Sequence, residues 1–296
     1  MIFYLINATI RKSTPFMLIL AICASACKKD GNPNQLPDVS TAAYDGKIDG
    51  YASASEVFPE NLIAYWSFDD TKNELVSGTA PTSTANDSYA AGGVKGKSIS
   101  LNGGYIYYAT QFQRFKTDSL KNFTISTWVK IQNNGSKRTM LFQLARPGIF
   151  TGNINFALNT NLVTTNTTLT IQPSFGTVGG GTQDNLNNVI FPAIGPDKWT
   201  HILLTYDGTS GVFNIWADGV KVGGYPNRGI GNNLFKSIEP SEIIIGSNYN
   251  GITGKTVSTD VSFAPMTGQI DEVRIYNKSL GDAYVKALYN LGKAGK

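Results

Sequence analysis

From about residue 61 onward the chain is patterned in short alternating runs. Residues 62–70 (L-I-A-Y-W-S-F-D-D) form an apolar run that ends in acids. Residues 98–108 carry two alternating pieces around Gly103 and Gly104, and residues 123–131 put Phe123, Ile125, Thr127 and Val129 on one face. A period of two predicts strands with one buried face. Residues 140–144, 155–158 and 169–175 are shorter candidates, while residues 73–91 and the Gly/Asn-rich 178–188 look like loops. Residues 199–206 (W-T-H-I-L-L-T-Y) predict a strand, and Asp218-Gly219 is the favoured two-residue turn of a hairpin between 212–217 and 220–223. Residues 242–246 (E-I-I-I-G) suit a short buried strand.

The last alternating run, 268–277 (G-Q-I-D-E-V-R-I-Y-N), is expected to close the fold by pairing with 62–70. Strict alternation would place Asp271 on the core face with Val273 and Ile275, and Glu272, Arg274 and Tyr276 on the other. A buried carboxylate costs several kcal/mol unless amides or a metal satisfy it. A short helix is predicted over 280–291, capped by Ser279, with Leu280, Tyr284 and Leu288 on one face. No parallel βαβ rhythm occurs, so the expected fold is all-β, an antiparallel sandwich with a short C-terminal helix.

The N-terminus is of another kind. Arg11 and Lys12 precede an apolar run over 16–26 that is too short to span a bilayer and ends in small residues before Cys27. That order predicts a secretory signal over 1–26. The A-S-A-C junction resembles the lipobox of bacterial lipoproteins, with Ala24 where leucine is usual, which implies lipid on Cys27. The C-K-K-D start is similar to the charged signals of some Bacteroidetes lipoproteins. Residues 27–60, polar and carrying Pro33, Pro37 and Pro59, are expected to be a flexible tether, leaving 61–296 as the domain. With Cys23 removed and Cys27 lipidated, no cysteine remains for a disulfide. The net charge of +4 is mild and forms no basic stripe, so nucleic acid is not an expected partner.

Six segments together, A-Y-W-S-F-D, F-T-I-S-T-W-V-K, K-W-T-H-I-L-L-T-Y-D-G, I-W-A-D-G-V-K-V, I-I-I-G and G-Q-I-D-E-V-R-I-Y-N, resemble laminin-G-like domains of the concanavalin A-like lectin/glucanase superfamily. The resemblance spans about 62–291 and implies a jelly roll whose first and last strands lie side by side. It departs most between Pro147 and Pro196, where the strands are hard to place. Glycosidases of the superfamily resemble one another in an E-x-D-x-x-E strand, and this chain has none, so catalysis is not expected. The only histidine, His201, is expected to be a packed strand residue, and Trp66, Trp128, Trp199 and Trp216 are expected in the core.

Relatives with bound calcium imply that Asp69 or Asp70, together with Asp271, can hold one structural Ca²⁺. The alternative is an Asp271 satisfied by amides, with Asp69 and Asp70 in solvent. Two loops combine an aromatic ring with amide or charged side chains, as sugar recognition requires: Tyr225, Asn227 and Arg228 in one, Asn248 and Tyr249 in the other. The expected function is therefore capture of a glycan or polysaccharide by a non-catalytic lipoprotein on the outer membrane, facing the surface or the periplasm. An adhesion or scaffold module that binds a protein partner is the alternative, and a hydrolase comes third.

Overall fold

The computed structural model describes residues 46–131, 137–159, 168–183, 189–193, 197–225 and 230–296. Cys27, the signal segment and the first part of the tether lie outside the described residues, as do Asn227 and Arg228. The folded unit runs from Gly46 to Lys296.

Its strands are β1 (Leu62–Trp66), β2 (Ser83–Ala91), β3 (Lys97–Tyr108), β4 (Phe123–Lys130), β5 (Thr139–Arg146), β6 (Ile149–Asn159) and β7 (Thr168–Gly176). They continue with β8 (Thr182–Gln183), β9 (Val189–Ala193), β10 (Thr200–Asp207), β11 (Val212–Ala217), β12 (Val220–Tyr225), β13 (Glu242–Ile245) and β14 (Met266–Tyr276). One helix, α1 (Asp282–Lys293), follows. Every named strand pairing is antiparallel, and the sheet order is β12-β11-β10-β4-β14-β3-β13-β5-β6-β7-β8.

That long ribbon curls into two facing layers. The hinge is β3, which pairs with β14 through Ile99–Leu101 and with β13 through Ile106–Tyr108, changing partner near Gly103 and Gly104. Across the layers Phe175 of β7 packs on Tyr206 of β10, Phe213 of β11 and Tyr225 of β12, with ring centroids 5.1, 5.7 and 6.5 Å apart. Ile125, Ile202, Ile215, Ile243, Ile154 and Ile171 fill the rest of this core. The first and last strands pair as expected, with Ala64 opposite Ile275 and Trp66 opposite Val273.

Both outer faces carry a second apolar layer. On the β4–β10–β11 side, Val285, Leu288 and Leu291 of α1 pack with Leu203, Trp216 and Tyr276. Ala54 and Val57 join that cluster, so residues 46–60 are packed on the domain where a free tether was expected. Tyr284, expected on one face with Leu280 and Leu288, is exposed where they are buried, and meets Phe58 edge-on at 4.6 Å. The helix is capped at Gly281, without a side-chain bond from Ser279. On the β3–β13 side, Tyr105, Tyr107 and Ile244 are covered by Tyr249 and Ile252.

Two further departures have local causes. Residues 83–91, too polar to read as a strand, form β2, an edge strand held by backbone bonds to β3 and bulged near Asn86. In β14, Glu272 has φ +51° and the register against β4 slips between Asp271 and Arg274. This β-bulge adds a residue and resets the alternation. Asp271 therefore lies opposite Trp128, on the outer face, and not with Val273 in the core. Arg274 emerges on the same outer side, stacked 3.9 Å over the Tyr65 ring and ion-paired with Glu272.

Candidate functional site

The predicted metal residues meet at a single turn. Asp271 is fully buried; its Oδ2 accepts the amides of Val94 (2.7 Å) and Lys95 (3.2 Å), and its Oδ1 accepts the Glu272 amide (2.9 Å). Asp69 grips the other end of the same turn, accepting the Lys97 amide at 3.0 Å, while Asp70 pairs with the Lys97 ammonium. A Cβ on Gly93 would lie 2.7 Å from Asp271 Oδ2, and one on Gly96 would lie 2.0 Å from Asp69 Oδ1. The turn needs glycine at both ends: a side chain at Gly93 would also meet the Lys97 carbonyl at 2.3 Å, and Gly96 has φ +64°. Burial, and then the neighbouring Glu272 charge, push the Asp271 pKa up to about 8, against the pull of its amide donors. Among the described residues no group of three or more His, Cys, Asp or Glu side chains converges as a metal cage.

The predicted sugar-binding rings turn inward. Tyr225 is 6% exposed and stacked on Phe213 at 5.3 Å, so both its faces belong to the core. Tyr249 is 5% exposed in the cluster over β3 and β13, its amide donating to Gln143 Oε1. Asn248 is buried, and its Oδ1 caps the following turn through the Gly251 amide. An aromatic ring in these loops has a sandwich to fill, and burial of its area outweighs exposure to a ligand. His201 is packed as expected, with Nε2 2.8 Å from Ser126 Oγ and a pKa lowered to about 3 by burial.

A different set of side chains forms a cleft of about 250 Å³. It opens on the outer face of β5, β6 and β7, the part of that layer left uncovered by the 249–252 turn. Inward positions of β6 and β7 hold Ile154, Phe156, Leu158, Leu169 and Ile171; the alternate positions present Asn155, Ala157, Gln172 and Ser174. Asn155 is locked, its Nδ2 donating to Gly152 O (3.1 Å) and Ser174 Oγ (3.2 Å), its Oδ1 accepting from Gln143 Nε2 (2.8 Å). Gln172 Oε1 lies in the same floor without a partner.

One wall of the cleft is aromatic. Phe150 meets Phe263 edge-on at 5.8 Å, and the Arg138 guanidinium lies 4.3 Å over the Phe263 ring. Backbone bonds from Arg138 N to Ser262 O and from Ala264 N to Arg138 O fasten the distant 262–264 segment to β5. Arg138 Nη2 also donates to Ser262 Oγ at 2.8 Å. None of the described residues lining the cleft is a carboxylate. The polar floor could have been noticed in the sequence, since Asn155, then Gln172 and Ser174, fall at the polar positions of two adjacent strands. Phe263 gave no signal, because only the fold brings it to β5.

Residues 102–286 match the family profile of the concanavalin A-like lectin/glucanases superfamily, in its laminin-G form, and the chain belongs to that family. No curated protein sequence matches it. Among solved structures, domain 4 of an extracellular arabinanase from Geobacillus stearothermophilus, in complex with arabinotriose, is 21% identical with a TM-score of 0.52, over 77% of this chain and 98% of that one. A Trypanosoma rangeli sialidase in complex with 2,3-difluorosialic acid is 15% identical with a TM-score of 0.52, over 79% of this chain and 33% of that one. The binding domain of botulinum neurotoxin DC, in complex with rat synaptotagmin II, is 11% identical with a TM-score of 0.53, over 78% of this chain and 52% of that one. At these identities the likeness is one of fold. The chain spans a third of the sialidase and about half of the toxin domain.

Proposed function

We propose that the domain is a non-catalytic carbohydrate-binding module and that the β5–β6–β7 cleft is its binding site. The observation that carries this is the pairing of a fixed amide floor with an aromatic wall. Sugar hydroxyls exchange hydrogen bonds with amides, and sugar C–H faces pack on aromatic rings. Gln172 Oε1 is buried in the floor without a partner, an acceptor that a hydroxyl entering the cleft would satisfy once the side chain turns, and Phe263 offers a ring already fastened to the sheet. Glycoside hydrolysis uses two carboxyl groups astride the bond, and the described lining supplies none. The arabinotriose-bound relative and the sialidase make a glycan the favoured class of partner, and the toxin domain with its synaptotagmin keeps a protein partner as the alternative.

The module is placed, in the same proposal, on a lipoprotein held at the outer membrane through Cys27, facing the surface or the periplasm. Among the described residues no helix is long and apolar enough to cross a membrane. One structural calcium ion held by Asp271 and Asp69 belongs to this reading too; what supports it is that both carboxylates grip the same short turn, one at each end.

The test is affinity electrophoresis of the full chain through gels containing linear arabinan or other neutral polysaccharides. At least one polymer should retard the protein, and Phe263→Ala or Gln172→Ala should abolish the retardation without lowering the melting midpoint. Retardation that survives both substitutions removes the cleft from the proposal. No retardation by any polymer, with a single protein retained in pull-downs, replaces it with the adhesion reading.

A further inference from the structure

On the opposite side of the sandwich, α1, β4 and the 92–95 turn enclose a second groove of about 410 Å³. Its lining includes Trp128, Trp199, Tyr289, Lys198, Lys293 and Asp218. Trp199, expected in the core, is half-buried just ahead of β10. Its indole N–H donates to Gly92 O at 3.2 Å, which fixes the ring against the turn. Behind it Trp128 and Tyr289 stack at 5.7 Å with their planes 17° apart.

Cations gather around these rings. The Lys130 ammonium stands 4.8 Å from the Trp199 ring centre, and the Lys293 ammonium 5.9 Å from that of Tyr289. Lys198, next to Trp199 in sequence, lines the groove with Lys293. Asp218 is the one carboxylate among the described lining residues, and its Oδ1 already accepts the His201 amide at 2.9 Å. Two lysines thus line the groove with a single engaged carboxylate among the described lining residues, and a third ammonium, that of Lys130, stands over the pinned indole. A cation held over an aromatic face loses less freedom when it meets an anion than a free lysine does.

We propose that this groove is a second binding site, selective for acidic sugars of the uronate class. The sugar's C–H face would pack along the Trp128, Trp199 and Tyr289 wall, and its carboxylate would meet Lys198 and Lys293. Among the described residues lining the cleft on the far face the one cation is Arg138, already engaged with Ser262 and Phe263. The two sites therefore differ in charge preference, and together they let one domain bridge two stretches of polysaccharide.

The experiment is titration of the full chain with a galacturonic acid oligomer and with a neutral galactose oligomer of equal length, followed by tryptophan fluorescence. The acidic oligomer should bind and the neutral one should not change the Trp199 signal. Binding should weaken as salt rises, because exposed charges are screened. Lys198→Glu combined with Lys293→Glu should weaken it at least about tenfold, the loss of roughly 1.4 kcal/mol of charge pairing. Trp199→Ala should weaken it as well; both lysines lie outside the core, so a melt should confirm that the double variant still folds. Undiminished binding in the double variant overturns the proposal. So does equal response to the neutral oligomer, no binding of the acidic one, or a loss caused by Phe263→Ala and not by the lysine changes, which would move the acidic sugar to the cleft.

Discussion

A single residue, Asp271, shows how burial sets chemistry in this domain. Its carboxyl is raised to about 8, chiefly by desolvation and next by Glu272. A raised carboxyl pKa means that the folded state holds the proton more tightly than the unfolded chain does. Its contribution to stability is then complete below the ordinary carboxylate value near 3.9 and is lost as pH rises through about 8. In calcium-free buffer, denaturant unfolding should show stability falling from pH 5 to pH 8, with the fall removed by Asp271→Asn. Asp271→Asn also loses an amide acceptor, so it should be less stable than the parent at pH 5. Added calcium should raise the melting midpoint at pH 8 and chelator should lower it, since a ligand bound only by the folded state stabilises it. A midpoint indifferent to both ends the calcium proposal, and a stability flat across that pH range ends the account of Asp271.

The elements add constraints that no residue carries alone. Helix α1 lies so close to the sheet that a Cβ on Gly292 would fall 2.6 Å from Trp128 Nε1. Intrinsic propensity favours Ala over Gly inside a helix by about 1 kcal/mol. Overpacking against a rigid indole costs about 1–3 kcal/mol. Gly292→Ala should therefore lower stability despite the better helix former, and should alter the near-ultraviolet circular dichroism of the Trp128–Tyr289 stack. A rise in the melting midpoint would show that α1 can slide away at little cost. The strand β14 makes the same point from the other side. Its apolar residues were legible as a strand, but the bulge at Glu272 was not, because a +51° φ leaves no mark in an apolar/polar pattern.

At the scale of the molecule, the domain begins earlier than polarity suggests. Residues 46–60 lack strand alternation, yet Val57 is 1% exposed and Ala54 4%, both packed beside α1 together with Ile48, Tyr51 and Phe58. The Ala54 amide also bonds to Lys296 O, joining this segment to the C-terminus. Burying an aliphatic side chain such as Val57 stabilises by about 1.5–3 kcal/mol. A chain starting at residue 61 should denature at a lower urea concentration than one starting at 46. Equal midpoints would return 46–60 to the status of a tether.

The sequence alone determined the class of fold. Alternation at period two, the Asp218-Gly219 turn and the paired end strands all act through local geometry or through a face that must be buried, and such constraints are written residue by residue. It also placed His201 correctly, since a mid-strand position predicts packing. Only the tertiary structure decided which aromatics are free. Tyr225 and Tyr249 belong to stretches with the composition of a binding site, yet one ends β12 and the other packs over β3 and β13, and the sandwich took both inside. Phe263, in an unremarkable segment, is brought against Arg138 by pairing across more than a hundred residues. Whether a ring is core or platform depends on what lies opposite it after the sheet has curled, and that is a property of distance in space that spacing along the chain does not encode.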